Sequence, residues 1–131
     1  MPLDAPDPRY PLDLCTPKSR ARTHSIHGNQ PDLSRVDPDT VWLHPQDAAA
    51  RRITDGQRVR VFNDIGSTVL VAEVTDRIAR GVVSIKEGAW FVPGSDGTDT
   101  RGCANVLTTD RASPCGATTY NTNRVEVEPH L

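Results

Sequence analysis

The sequence contains few cysteines, and none of them are paired at metal-binding spacing. Cys15, Cys103 and Cys115 form no CxxC motif and are odd in number, which disfavours both a disulfide framework and a structural zinc site. No apolar run of signal-peptide length follows Met1, and the chain is too polar for a membrane span. We therefore expect unpaired thiols, no direct membrane contact and a cytoplasmic location for this chain alone.

Motifs of independent catalysis are also missing. The sequence has no GxSxG elbow, no P-loop, and no Cys, His and carboxylate set whose spacing favours a shared site. Its formal net charge of −2 argues against a surface built for nucleic acid, although a local basic patch is compatible with that value. We expect no catalytic residue, no metal ligand and no nucleic-acid partner.

The bulk composition is that of one folded domain. The 131 residues are 36% hydrophobic and 24% charged, a mixture that fits one compact core and does not fit a disordered tail. Four of the first eleven residues are prolines, which block both helix and sheet pairing. We predict an extended lead-in arm or linker over residues 1–11 and a single domain over residues 12–131.

Apolar periodicity predicts short strands, one small helix and long loops. The helix begins at Pro45, where a missing N–H is tolerated, and His44 precedes it as a weak cap. Turn residues between positions 63 and 66 join two strands into a hairpin. The predicted strands cover residues 12–15, 41–43, 58–62, 67–74, 82–85 and 125–127. This order favours a β-barrel whose loops perform the binding.

Basic and hydroxyl side chains crowd together between positions 16 and 25. No acidic residue occurs between Asp13 and Asp32, whereas this loop contains three cations and four hydroxyls: Lys18, Arg20, Arg22, Thr16, Ser19, Thr23 and Ser25. Such groups donate charge-assisted and directional hydrogen bonds to phosphate oxygens. A basic surface loop without a ligand fits the same composition. His24 is likewise either a donor to a phosphate or ring carbonyl, or an ordinary loop histidine.

A second polar segment runs from Gly102 to Pro114. Asn105 offers two donors and an acceptor, and both kinds of group are needed to hydrogen-bond the edge of a purine or a pterin. An asparagine in this pattern is, however, more often a turn residue or a helix cap. The pair Trp90-Phe91 is compatible with stacking on a ring, although an aromatic pair after a strand usually lies in the core. Both alternatives stay open at this point.

Four segments in sequence order carry a family resemblance. They are Thr16 with His24-Ser25, then HPQDAAARRITDGQRVRVFNDIGS, then VTDRIARGVVSIKEGAWF, and then GCANVLTTDRASP. From Tyr10 to Glu128 the chain resembles the C-terminal molybdopterin dinucleotide-binding domain of the dimethyl sulfoxide reductase family of molybdopterin oxidoreductases. The resemblance implies a mainly β fold: a double-psi β-barrel, similar to aspartate decarboxylase, with one or two short helices and long loops.

The resemblance also implies a set of cofactor-binding residues. In the family, the loop after the first strand contacts the dinucleotide through a Thr and a His-Ser pair, and a Gly-x-x-Asn-x-Leu-Thr element supplies a further contact. A polar contact close to the last strand falls at about position 123. The residues predicted in this way are Thr16, Lys18, Ser19, Arg22, Thr23, His24, Ser25, Asn105 and Asn123.

The function implied is binding of one molybdopterin guanine dinucleotide within a bis-dinucleotide molybdenum oxidoreductase of the S- or N-oxide reductase type, without independent catalysis. The family's metal-ligating residue, substrate funnel and iron–sulfur region lie in domains that this chain lacks. The implied partners are therefore the remaining domains of a molybdopterin catalytic subunit and an iron–sulfur electron-transfer subunit, and the complete enzyme can be an exported one. The alternative is a standalone or relic double-psi barrel that has a structural or interaction role and binds no cofactor.

Overall fold

Strands with alternating buried and exposed side chains dominate the chain. A computed structural model describes residues 7–118 and 120–131. The strands are β1 (Leu12–Cys15), β2 (Thr40–Leu43), β3 (Arg58–Phe62), β4 (Ser67–Val74), β5 (Val82–Ile85) and β6 (Arg124–Pro129). In β1 and β3, every second side chain is buried, as expected for strands with one face on a core. All six predicted strands are found, with small differences at the ends of β2 and β6.

The six strands close into a barrel in the order β1-β5-β2-β4-β3-β6. Two neighbouring pairs, β1 with β5 and β2 with β4, run parallel, and the other pairs run antiparallel. Parallel neighbours need a crossover connection, so the chain crosses the ends of the barrel instead of following its perimeter. The predicted fold class, a mainly β barrel with short helices and long loops, is confirmed.

The core fills the inside of this barrel with branched aliphatic side chains. Fully buried side chains come from every strand; among the largest are Leu12, Leu14, Leu43, Ile85, Val59 and Val127. Leu107 reaches the same cluster from outside the strands. Burying a side chain of this size stabilises the fold by about 1.5 to 3 kcal/mol, so the barrel is a rigid base for the loops at its ends.

Short helices fill the connections between strands. Helix α1 spans Pro31–Val36, helix α2 spans Pro45–Ala50, and a single 3₁₀ turn, η1, spans Ala104–Leu107. His44 Nδ1 accepts a hydrogen bond from the backbone N–H of Gln46 at 3.2 Å, so the predicted cap is found. Helix α1 is absent from the sequence-based prediction, because it contains no buried residue and therefore lacks the apolar periodicity that reveals a surface helix.

The predicted arm at residues 1–11 is described from Asp7 onward, and residues 1–6 lie outside the described part of the chain. The Tyr10 hydroxyl donates to Asp64 at 2.8 Å, and its ring meets Phe62 edge-on with the centroids 6.1 Å apart. Arg124 donates to the carbonyl of Tyr10 at 3.0 Å. The described end of the arm therefore packs on the β3–β4 hairpin.

The three thiols are unpaired, with Cys103 buried and both Cys15 and Cys115 exposed. Within residues 7–118 and 120–131, the structure contains no helix with the length and apolarity that crossing a membrane requires.

One buried carboxylate joins the barrel wall to the long loop after β5. Asp99 is 1% exposed and accepts hydrogen bonds from the Thr68 hydroxyl at 2.6 Å and from the backbone N–H groups of Val92 at 2.9 Å and Cys103 at 2.7 Å. Burial opposes ionisation of Asp99, but these hydrogen bonds outweigh it, and the pKa of the carboxyl is lowered. The loop preceding η1 is thus fixed to β4 by a charged anchor.

Asp99→Ala should lower the free energy of unfolding by about 3 kcal/mol, because it leaves several buried donors without an acceptor. Thr68→Val removes one donor to the carboxylate and should cost about 1 kcal/mol. Urea unfolding followed by far-ultraviolet circular dichroism measures both values. Equal, small losses in the two variants would show that Asp99 does not hold the loop.

Candidate functional site

The parallel pairing of β1 and β5 brings two loops to one edge of the barrel. Cys15 pairs with Ser84 in register, so the loop that begins at Thr16 and the segment that begins at Lys86 leave the same end of neighbouring strands. The Glu87 N–H donates to the Pro17 carbonyl at 2.9 Å. The loop predicted from the sequence is therefore packed on the barrel along the segment after β5.

Backbone contacts fix the far end of this loop. The Trp90 indole N–H donates to the Ser25 carbonyl at 2.6 Å. Gly88 has φ of +88°, and a Cβ at this position would overlap the His24 carbonyl. Only glycine allows the two backbones to approach so closely. His24 itself adopts a left-handed conformation with φ of 52°, so the loop follows one defined path.

Arg22 anchors the loop from within. Its side chain is only 6% exposed, and one guanidinium nitrogen donates to both carboxylate oxygens of Asp39 at 2.7 and 2.9 Å. A second nitrogen donates to the Glu87 carbonyl at 2.9 Å, while Nε has no hydrogen-bond partner among the described residues. The charge of Arg22 is thus already neutralised inside the protein, and its bonds position the loop.

Two further predicted residues are engaged within the fold. The Ser19 hydroxyl donates to Asp37 at 2.6 Å and accepts from the Ala21 N–H at 3.1 Å. Both the N–H and the hydroxyl of Thr16 lie 3.1 Å from the Asn121 side-chain oxygen. These contacts hold the first half of the loop in place at Thr16 and at Ser19.

Thr23, His24 and Ser25 present their side chains to solvent. Within the described residues, the hydroxyls of Thr23 and Ser25 make no hydrogen bond. His24 Nδ1 lies 3.3 Å from Glu87 Oε1, an ion-pair distance without hydrogen-bond geometry. The three side chains form an exposed rim of donors next to the loop's anchored backbone.

A cleft of about 400 Å³ opens beside the first half of the loop. We call it the basic cleft, because four of its residues are cations contributed by the loop, by the turn after β4 and by the end of β5. Its floor is the outer face of β2. The residues that line it are Pro17, Lys18, Arg20, Asp37, Thr40, Trp42, Arg77, Ser84 and Lys86.

Two of the four cations in the basic cleft are compensated. Lys86 Nζ pairs with Asp37 at 2.5 Å. Arg77 pairs with Glu73 at 2.7 Å, and its guanidinium carbon lies 4.3 Å above the centroid of the Trp42 ring. Across the described residues, the Lys18 ammonium and the Arg20 guanidinium have no partner. The cleft therefore carries two uncompensated positive charges on its loop side.

Asp37 ties the loop to the cleft floor. Its carboxylate is 7% exposed and accepts from Lys86, from the Ser19 hydroxyl and from the Arg20 N–H at 2.8 Å. Burial works against ionisation, but the hydrogen bonds from Lys86, Ser19 and Arg20 outweigh it and lower the pKa of Asp37 to about 2. Asp37 therefore holds a negative charge under the loop throughout the neutral range.

Asn105 lies at a different place. It is exposed on η1 and lines a second cavity, of about 450 Å³, which we call the Asn105 cavity. This cavity and the basic cleft share no lining residue. The other residues that line it are Ile65, Gly66, Ser67, Phe91, Asp96, Gly97, Thr98 and Val106. The structure therefore separates Asn105 from the cations of the loop.

Asn123, the last predicted contact, is buried, with 5% of its surface exposed. Its side-chain oxygen accepts from the Thr109 N–H at 3.0 Å, and its amide donates to the Tyr120 carbonyl at 2.9 Å. Its backbone carbonyl also accepts from Leu14 at 2.9 Å. These bonds place Asn123 in the support of the segment before β6.

Of the two alternatives for Trp90 and Phe91, stacking on a ring or a place in the core, the structure rules out the core. Trp90 is 43% exposed and Phe91 is 52% exposed, because the chain leaves β5 at Ile85 and the aromatic pair lies on the loop outside the barrel. Their large apolar surfaces are thus available at the edge that carries the predicted loop.

Sequence reasoning missed the residues that complete the cleft from other parts of the chain. These are Asp37, Thr40, Trp42, Arg77, Ser84 and Lys86. No local motif marks them, since the barrel closure alone brings them together. Among residues 7–118 and 120–131, no group of three or more His, Cys, Asp or Glu side chains is arranged to hold a metal ion.

The wild-type melting temperature should fall as the pH is lowered from about 4 to about 2, partly because Asp37 is protonated. Its folded pKa lies below the unfolded value of about 3.9, so its stabilisation is complete above that value and is lost as the pH passes through about 2. Thermal melts of Asp37→Asn should change less over this range. Asp76→Asn, at an exposed aspartate outside the cleft, should behave as wild type, and equal slopes in all three proteins would contradict the assignment.

Residues 12–124 match the model of the molydopterin dinucleotide binding domain. Dimethyl sulfoxide reductase DmsA of Haemophilus influenzae is 44% identical over 121 residues, which is 92% of this chain and 15% of that protein. Trimethylamine-N-oxide reductase of the same species is 41% identical over 112 residues, covering 79% of this chain and 14% of that protein. The chain thus spans about 15% of the length of such curated relatives.

The fold is also similar to a solved structure. Acetylene hydratase from Pelobacter acetylenicus aligns with a TM-score of 0.77 at 18% identity, over 92% of this chain and 18% of that one. At this identity the likeness concerns the fold alone. The family model spans strands β1 to β5 and the start of β6, and two of the curated relatives that cover most of this chain are named dimethyl sulfoxide reductase and trimethylamine-N-oxide reductase. The chain therefore belongs to the molydopterin dinucleotide binding domain family, as found in the dimethyl sulfoxide and trimethylamine-N-oxide reductases.

Proposed function

We propose that the chain binds the pyrophosphate of one molybdopterin guanine dinucleotide in the basic cleft. The observation that carries this proposal is the pair of uncompensated cations, Lys18 and Arg20, at the rim of a concave site. A pyrophosphate diester is a dianion with several strong acceptor oxygens, so its charge and its bonding capacity match this pair. Ser84 on the cleft floor adds a hydroxyl group next to the cations, whereas the Thr40 hydroxyl already donates to Glu73 at 3.0 Å.

The predicted residues then divide into two roles. Lys18, Thr23, His24 and Ser25 are exposed donors of the loop, and we assign them, together with Asn105, to direct contact with the cofactor. A second group is already bonded within the protein and acts by positioning the donors: Thr16, Ser19, Arg22 and Asn123. The close backbone packing at Gly88 supports this division, because it fixes the path of the loop before any ligand binds.

In the proposed context, the chain is the cofactor-binding part of a bis-dinucleotide molybdenum oxidoreductase that reduces S- or N-oxides. The bound cofactor supplies the redox chemistry, and this chain's own residues bind and orient it without catalysing a step. The proposed partners are the remaining domains of the catalytic subunit and an iron–sulfur electron-transfer subunit. The names and lengths of the matching reductases support this proposal.

Removing the two uncompensated cations should weaken binding of inorganic pyrophosphate. The double variant Lys18→Ala/Arg20→Ala should bind it about tenfold less tightly or worse, since each charge-assisted hydrogen bond contributes roughly 1.5 to 3 kcal/mol before solvent screening. Isothermal titration calorimetry at low and moderate salt measures the affinity. The wild-type affinity should also fall as salt rises.

A matched control is the double variant Arg35→Ala/Arg80→Ala. It removes the same net charge from two exposed arginines that do not line the basic cleft. Its pyrophosphate affinity should stay within about twofold of wild type, because distant surface charges are screened. If both double variants lose affinity equally, the effect reflects net charge and the cleft assignment fails.

Arg22→Ala should reduce the amount of guanine dinucleotide that the chain retains, because it leaves Asp39 unpaired and frees the loop. The chain is purified from cells that synthesise the cofactor, and guanosine monophosphate released by hydrolysis is quantified by mass spectrometry. Arg35→Ala, at an exposed ion pair, is the control. A wild-type chain that releases no guanosine monophosphate would instead support the relic barrel.

A further inference from the structure

Another recess lies on the outer face of the barrel, where the loop after β5 lies against β3 and β4. Its volume is about 250 Å³, which is below the range of about 300 to 1,000 Å³ that is typical of drug-sized ligands, so it suits a smaller molecule. We call it the outer recess. It shares Asp96 and Thr98 with the Asn105 cavity and no residue with the basic cleft. The residues that line it are Arg58, Arg60, Val69, Gly94, Ser95, Asp96, Thr98, Thr100 and His130.

Side-chain alternation along β3 and β4 places the floor of the outer recess. Arg58 and Arg60 are two positions apart on β3, so both side chains lie on the face that points away from the core. Val69 is opposite Arg60 in the strand register, and its side chain therefore lies on the same outer face. Val69 is nevertheless only 2% exposed, because the loop after β5 covers it. The floor thus combines an apolar contact with charged groups.

Hydrogen bonds within the loop after β5 hold the opposite wall of the recess. The Gly94 N–H donates to the Thr98 carbonyl at 2.8 Å, and the Gly97 N–H donates to the Gly94 carbonyl at 3.1 Å. Gly97 has φ of +81°, in the left-handed region that favours glycine. The Asp99 carbonyl accepts from the Val69 N–H at 2.8 Å, which fixes the loop to β4. The wall is a closed turn, so the recess is formed before any ligand binds.

Two opposite charges line the outer recess without pairing with each other. Among the described residues, the Arg58 guanidinium has no hydrogen-bond or ion-pair partner, whereas Arg60 pairs with Glu128 at 3.0 Å. Asp96 accepts from the Thr98 N–H and from the Thr98 hydroxyl, each at 3.0 Å. These bonds lower the pKa of Asp96, and each of its oxygens can accept a second hydrogen bond. The recess therefore offers one free cation and one ionised carboxylate that can still accept hydrogen bonds.

This pattern of charge distinguishes three kinds of small ligand. A lone anion is attracted by Arg58 and repelled by Asp96, and a lone cation meets the reverse. A molecule with both a carboxylate and an ammonium group satisfies the two residues together. The planar guanidinium can bind a carboxylate through two parallel N–H donors, and a carboxylate accepts charge-assisted hydrogen bonds from an ammonium group. The recess therefore favours a small zwitterion over either single ion.

We propose that the outer recess binds a small zwitterion of the amino-acid class. Arg58 binds its carboxylate, Asp96 binds its ammonium group, and Val69 contacts the carbon chain. The Ser95 hydroxyl, which makes no hydrogen bond among the described residues, is a further neutral donor at the rim. This site is separate from the basic cleft and does not rest on the function proposed above.

The test uses glycine, β-alanine and 4-aminobutyrate, which differ in the distance between their two charges. Acetate and methylammonium, which each carry one of these charges, are the references. The wild-type chain should bind at least one amino acid about tenfold more tightly than either reference, because a single ion leaves Arg58 or Asp96 unpaired. Amide chemical shifts of the ¹⁵N-labelled chain measure the affinities and show whether the ligand perturbs residues 94–100. Titration at about pH 8 keeps imidazole side chains ordinarily uncharged.

Two single variants should change the preference of the recess in opposite directions. Arg58→Gln should weaken amino-acid binding about tenfold and strengthen methylammonium binding, because only the negative charge of Asp96 remains. Asp96→Asn should weaken amino-acid binding to a similar degree and strengthen acetate binding, because only the positive charge of Arg58 remains. A general loss of structure cannot produce these opposite gains, and the amide spectrum of each variant shows whether it is folded.

Matched controls remove the same charges elsewhere on the surface. Arg35→Gln and Asp76→Asn change exposed residues that line none of the three sites, and both should keep every affinity within about twofold of wild type. Lys18→Ala/Arg20→Ala should also leave amino-acid binding unchanged, so failure of the basic cleft and failure of the outer recess are distinguishable.

Three results would overturn the proposal. The first is a wild-type chain that binds no amino acid more tightly than acetate and methylammonium. The second is a set of shift changes that lies away from the outer recess. The third is a folded Arg58→Gln or Asp96→Asn variant that binds the amino acid as tightly as wild type does.

Discussion

The parallel pairing of β1 with β5 is the constraint on which the candidate site depends. Since both strands leave the barrel at the same edge, the loop after Cys15 meets the segment after Ile85. A parallel pair cannot be joined by a tight turn, so the chain between the two strands crosses the barrel and supplies β2 and the β3–β4 hairpin on the way. The rigid core then fixes the separation of the loops.

The loop itself is held by charges from outside it. Asp37 and Asp39 follow helix α1, and they bind Ser19 and Arg22 respectively. These carboxylates determine which cations remain available. Arg22 anchors the loop through its ion pair with Asp39, whereas Lys18 at the cleft has no carboxylate partner among the described residues. The ion pair of Arg22 thus holds in place the loop that carries the remaining cations.

Near the Asn105 cavity, too, a buried and an exposed side chain have different roles. Asp99 is buried and bonded on several sides, so it fixes the loop that carries Phe91 and Asp96. Asp96 is exposed, and among the described residues its carboxylate accepts from its near neighbour Thr98. Two aspartates three residues apart thus differ in role because one is enclosed by backbone donors and the other faces solvent.

The sequence by itself determined most of the local structure, because strands such as β1 and β3, the hairpin turn and helix α2 follow from side-chain alternation, turn residues and a proline at a helix start. Helix α1 is the exception, since it buries no side chain. It also determined the family, through motifs spread along most of the chain, and it located the loop at 16–25 and Asn105. Tertiary structure decided what these residues do. The carboxylate partners of Ser19, Arg22 and Lys86 lie 17 to 49 positions away, and no local pattern specifies such pairings. Barrel closure alone determined that Lys18 faces the basic cleft while Asn105 lines another cavity.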